Sequence, residues 1–70
     1  MENYRGLKEL RKEKNMTQIE FAESIGIERL RYAYYELGYA DIPSEIVKKI
    51  CEVFHVSADE ILGIEQKNVL

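Results

Sequence analysis

Seventy residues, 46% of them hydrophobic, allow one small domain with a modest core. The single cysteine, Cys51, excludes an internal disulfide framework and suits a reducing cytoplasm, while no apolar run reaches the length of a membrane span or a signal h-region. A net charge of -3 and a pI near 5.1 argue against a broadly basic surface.

Tyr4, Leu7, Leu10 and Arg11 share one face at helical spacing, predicting a first helix that stops in the polar run Lys14-Asn15, before Met16. Thr17 and Glu20 have capping-box spacing, in which the hydroxyl accepts from the amide three residues on and the carboxylate reaches back to the cap amide. A second helix is therefore expected from Thr17. Phe21, Ala22 and Ile25 form its inner face, Gly26 offers a left-handed stop, and Ala22 is small enough for a close crossing with the next helix. Between Glu28 and Leu37 there is no Pro or Gly, so a third helix runs on to Gly38.

A fourth helix opens near Pro43-Ser44, where proline is tolerated in a first turn, and presents Ile46, Val47, Ile50, Cys51 and Phe54. Ser57 and Glu60 repeat the capping-box spacing and start a short fifth helix through Ile61 and Leu62 to Gly63. The expected architecture is all-α, with one domain over residues 1–63. Residues 64–70 form a short tail, flexible or contacting a dimer partner through Val69 and Leu70.

The motifs stand in a fixed order: Leu-Arg in helix 1, Met-Thr-Gln opening helix 2, Phe-Ala then Ile-Gly-Ile at the turn, Tyr-Glu-x-Gly closing helix 3, and Val-Ser-x-Asp-Glu-Ile-Leu-Gly at the end. From about Leu7 to Gly63, without insertion, this resembles the phage repressor/Cro-like (XRE-type) helix-turn-helix family. The resemblance implies a five-helix, lambda-repressor-like domain that binds double-stranded DNA, usually as a homodimer on a near-palindromic operator. It also implies that Thr17 and Gln18 grip a phosphate or reach a base edge at the start of helix 2. Arg11 and Glu36 match the positions of a structural ion pair joining helices 1 and 3.

Helix 3 corresponds to the family's recognition helix. At about 100° per residue, Tyr32 and Tyr35 are expected to face the core, with Arg29, Leu30, Ala33, Tyr34 and Leu37 on the other side. Arg29 is the expected base reader, because its guanidinium fork matches the two acceptors of guanine; Leu30 is placed to touch a thymine methyl. Tyr34, one turn on, is placed for a base or phosphate, and Arg31, at the edge of the face, for a phosphate. Glu28 is placed to accept from cytosine or to cap the helix and favour its positive end, with capping preferred. The following loop, Gly38-Tyr39-Ala40-Asp41, has no cation, so phosphate contact there falls to amides or the Tyr39 hydroxyl.

Charge distribution tempers the acidic total. Residues 1–35 hold seven Lys/Arg against six acids, net +1, and residues 36–70 hold three against seven, net -4. Ile19, Leu30, Tyr34 and Leu37 make the DNA side unusually apolar, which suggests the alternative of a helix-turn-helix used as a protein-interaction module, such as an antirepressor or regulatory partner.

Other chemistry finds little support. Cys51 and His55 lie one helical turn apart but lack two further ligands, so no metal site is expected; Cys51 suits the core and His55 a helix C-terminus. One histidine, no nucleophile constellation and no phosphate loop predict no enzyme activity and no cofactor. The tyrosines suit core and boundary positions better than a base-stacking platform. The expected function is repression by operator occupancy, by a dimer on half-sites about 34 Å apart, in a cytoplasmic, nucleoid-associated protein that is bacterial or phage-encoded. No small-molecule ligand segment is apparent, so a switch is expected to act through a partner or through concentration.

Overall fold

A computed structural model describes the backbone of residues 5–62 and the side chains of residues 6–61. Five helices follow in chain order: α1 (Arg5–Glu13), α2 (Gln18–Ser24), α3 (Arg29–Leu37), α4 (Ser44–Phe54) and α5 (Ala58–Leu62), with no strand among the described residues. The all-α, five-helix expectation is met. Tyr4 and the tail lie outside the described residues, and with them the roles expected of Tyr4, Val69 and Leu70. No helix among the described residues is long and apolar enough to cross a membrane.

Local chemistry accounts for most of the boundaries. Thr17 is the cap of α2 and not its first residue: its hydroxyl accepts from the Glu20 amide at 3.1 Å, and the Glu20 carboxylate accepts from the Thr17 amide at 2.9 Å. Gly26 and Gly38 take left-handed φ values of 78° and 80°, as expected of helix stops. After Gly26, the Ile27 amide donates to Ala22 and the Gly26 amide to Glu23; after Gly38, Tyr39 donates to Tyr34 and Gly38 to Tyr35. Both pairs satisfy carbonyls that a helix end leaves orphaned.

Asn15 closes α1 in the same way at φ 57°, and His55 ends α4 at φ 58°. Asparagine and histidine enter this region more readily than most residues with a Cβ. At α5 only half of the predicted capping box forms. The Ser57 hydroxyl accepts from the Glu60 amide at 3.3 Å, but it is the hydroxyl, not the Ser57 amide, that meets the Glu60 carboxylate, at 3.4 Å.

Leu7, Leu10, Phe21, Ala22, Ile25, Tyr32, Tyr35, Ile50 and Ile61 are buried together, drawing on every helix. Phe21 is a junction of this core. Its ring stacks on Phe54 with centroids 4.6 Å apart and tilts against Tyr32 at 5.0 Å, tying α2 to both α3 and α4. Elsewhere α1 lies directly on α5. A Cβ at Gly6 would stand 1.7 Å from the Glu60 carbonyl oxygen, so only glycine allows this approach.

Candidate nucleic-acid interface

The expected helix-turn-helix is built from α2 and α3, which pack together through a turn at residues 25–28. Ala22, buried at 1% exposure, is the small residue required where they approach. The inward side of α3 carries Tyr32, Ala33, Tyr35 and Glu36. This corrects the expected outward position of Ala33. α3 packs against α1 as well as α2, and a helix covered from two sides buries a wider arc than two tyrosines define.

What α3 leaves outside is Arg29, Leu30, Arg31, Tyr34 and Leu37. Leu30 and Leu37 are 53% and 50% exposed and, with Tyr34 between them, form a stripe at i, i+4 and i+7. Tyr39, 67% exposed, sets its ring edge-on to Tyr34 with centroids 5.8 Å apart. Ile19 on α2 is exposed too, so the apolar character expected of this side is a surface property of the fold.

Arg29 is exposed in the first turn of α3, which contains no acidic residue. Glu28 occupies the cap position, but its side chain makes no capping hydrogen bond. Glu28 thus stands at the expected cap, without a side-chain bond to the helix amides. The residues that cap well have shorter side chains, whose oxygen sits within reach of the first amides. Arg31 is held in place: its Nε donates to the Tyr35 hydroxyl at 2.7 Å, and its guanidinium carbon lies 5.8 Å from that ring's centroid.

Behind this surface lies a polar cluster that joins three helices. The Glu36 carboxylate accepts from Arg11 Nε at 2.6 Å, from Arg11 Nη2 at 3.3 Å, from Gln18 Nε2 at 3.1 Å and from the Tyr32 hydroxyl. Arg11 Nη1 also donates to the Met16 carbonyl at 3.0 Å, fixing the segment before α2. Burial alone would raise the Glu36 pKa, but the hydrogen bonds from Arg11, Tyr32 and Gln18 outweigh it and hold the carboxyl below its ordinary value. The hydrogen bond to Glu36 raises the Arg11 pKa, so that side chain stays charged. Burial, followed by the bond to Glu36, raises that of Tyr32. The phenol is a permanent donor at ordinary pH.

The ion pair expected of Arg11 and Glu36 is present, but Gln18 and Tyr32 complete it, and neither was expected there. A tyrosine four residues before a glutamate on one helix carries that signal only once the glutamate is known to be buried. Because a carboxylate only accepts, the Gln18 amide nitrogen must face Glu36; its carbonyl and one N–H are left over. Thr17, whose hydroxyl accepts in the cap, is exposed beside it. Cys51 packs against the core from α4.

A helix-turn-helix family profile matches residues 7–61 of the chain. The chain is similar to antitoxin PezA of Streptococcus pneumoniae serotype 4, with 39% identity over 59 residues, 84% of this chain and 37% of that protein. It is also similar to two proteins of Bacillus subtilis strain 168. The HTH-type transcriptional regulator AnsR is 38% identical over 61 residues, 87% of this chain and 53% of AnsR. The uncharacterized HTH-type transcriptional regulator YqaE is 38% identical over 56 residues, 80% of this chain and 48% of YqaE. The chain thus spans between about a third and about a half of the length of these relatives. No solved structure matches it significantly. With a continuous profile match from α1 to α5 and two relatives that are HTH-type transcriptional regulators, the chain belongs to the XRE-type helix-turn-helix family.

Proposed function

We propose that the chain is a sequence-specific DNA-binding transcriptional regulator, acting as a repressor by occupying an operator whose half-sites α3 reads in the major groove. The observation that carries this reading is the outer face of α3: an uncovered helix side beginning with exposed Arg29 and Arg31, on a helix that the Gln18–Glu36 hydrogen bond ties to the start of α2. Arg29 is the guanine reader. Thr17, Gln18, Arg31 and the Tyr39 hydroxyl contact phosphates, Glu28 faces a cytosine at the groove edge, and Leu30 and Tyr34 touch bases. A small, acidic monomer makes few phosphate contacts, so a homodimer on two half-sites supplies the affinity.

Fluorescence anisotropy with labelled duplex tests the reading. Log affinity falls linearly with log salt, at about 0.9 per phosphate neutralised, and a duplex selected from random DNA competes better than bulk DNA. Absence of binding to any duplex at low salt refutes it. The exposed stripe favours a second reading, a helix-turn-helix that docks on a protein; recovery of a stoichiometric protein complex without DNA binding would establish that instead.

A further inference from the structure

We propose that the outer face of α3 recognises thymine by its 5-methyl group, so that thymines in the major groove define much of the operator. This rests on the DNA-binding reading above. Leu30, Tyr34 and Leu37 occupy the sector of α3 opposite its buried side, and Tyr39 extends it by packing edge-on against Tyr34. Base edges in the major groove present acceptors, amino donors and the thymine methyl. A leucine pressed on N7 or O6 strands that atom without a donor; pressed on a methyl, it removes apolar surface from water.

Two of the polar groups beside this face are partly committed within the protein. Gln18 donates to Glu36 and Arg31 Nε to Tyr35, and the apolar stripe supplies three of the five side chains that α3 leaves outside. Charge complementarity points to nucleic acid as the occupant. The stripe begins at the two exposed cations Arg29 and Arg31 against one exposed acid, Glu28 at the cap, while Glu36, the acid within α3, is turned inward and neutralised by Arg11.

The test uses the full chain and a duplex selected from random-sequence DNA, remade with each thymine in turn replaced by deoxyuridine. That exchange removes one methyl and leaves the hydrogen-bonding pattern intact. At one or more positions affinity falls about fourfold, the effect of one buried methyl-sized group. Leu30→Ala or Leu37→Ala lowers binding to the thymine duplex and abolishes the thymine-uracil difference at such a position. Thermal melting verifies that these variants, altered at half-exposed sites, remain folded.

Specific binding insensitive to uracil at every position overturns this inference alone. So does a site that responds to cytosine methylation but not to uracil. Alanine variants that bind the selected duplex like the unaltered chain also overturn it, and that is the result expected if a protein covers the stripe. Loss of all salt-dependent duplex binding in the unaltered chain overturns the DNA-binding reading, and this inference with it.

Discussion

Replacing Arg11 by alanine removes the cation from a carboxylate that the fold has taken out of water. The Arg11 and Glu36 side chains are 14% and 4% exposed, and Arg11 supplies two of the four hydrogen bonds that Glu36 accepts, with Nε at 2.6 Å and Nη2 at 3.3 Å. The variant leaves a buried carboxylate with only Gln18 and Tyr32 as donors, and it strands the Met16 carbonyl. Breaking a buried pair from one side costs about 3 to 5 kcal/mol. A domain of this size has roughly 4 to 10 kcal/mol in total. At about 4 to 8 °C per kcal/mol, the melting midpoint falls by at least about 12 °C. Circular-dichroism melting at pH 7 reads this directly. A midpoint within about 4 °C of the unaltered chain would show that water reaches Glu36 or that the pair contributes nothing, and would refute the reasoning.

Three further outcomes follow from the same geometry. Glu36 has a folded-state pKa below its ordinary 4.5, so its stabilising contribution is whole above pH 4.5 and disappears as pH falls through the lowered value. Acid titration of stability therefore shows a loss below pH 4.5 that Glu36→Gln lacks. Gly6→Ala drives a Cβ to 1.7 Å from the Glu60 carbonyl oxygen, so α5 must separate from α1; urea melts show a loss above about 1 kcal/mol, and a gain in stability would contradict the contact. Arg29→Ala lowers operator affinity by roughly 1 to 3 kcal/mol and relaxes preference at one base position; uniform weakening on all sequences would make Arg29 a phosphate contact.

Much of the architecture was legible because its signals are local. The capping box of Thr17 and Glu20, the left-handed glycines at 26 and 38, and the spacing of Phe21, Ala22 and Ile25 each depend on residues a turn apart. The Arg11–Glu36 pair was legible from the family resemblance, its partners being 25 residues apart in sequence. Glu28 shows the limit of local rules, since it stands at the expected cap position yet its side chain makes no bond to the helix amides. Asn15 and His55 end helices by the left-handed conformation without a glycine to announce it.

The sequence by itself determined five helices, their stops and a core of periodic apolar residues, because backbone capping and helical spacing are settled within a few residues. Only the tertiary structure decided how wide an arc of α3 is covered. Packing against both α1 and α2 widens the buried side to Ala33 and draws Gln18 and Tyr32 around the Glu36 carboxylate, while Leu30, Tyr34 and Leu37 stay on the outer side that helical spacing predicts. Gly6 belongs to the same class: helix propensity favours alanine there, and the close approach of α5 forbids it. Burial depends on what arrives from elsewhere in the chain, and no short-range pattern encodes that arrival.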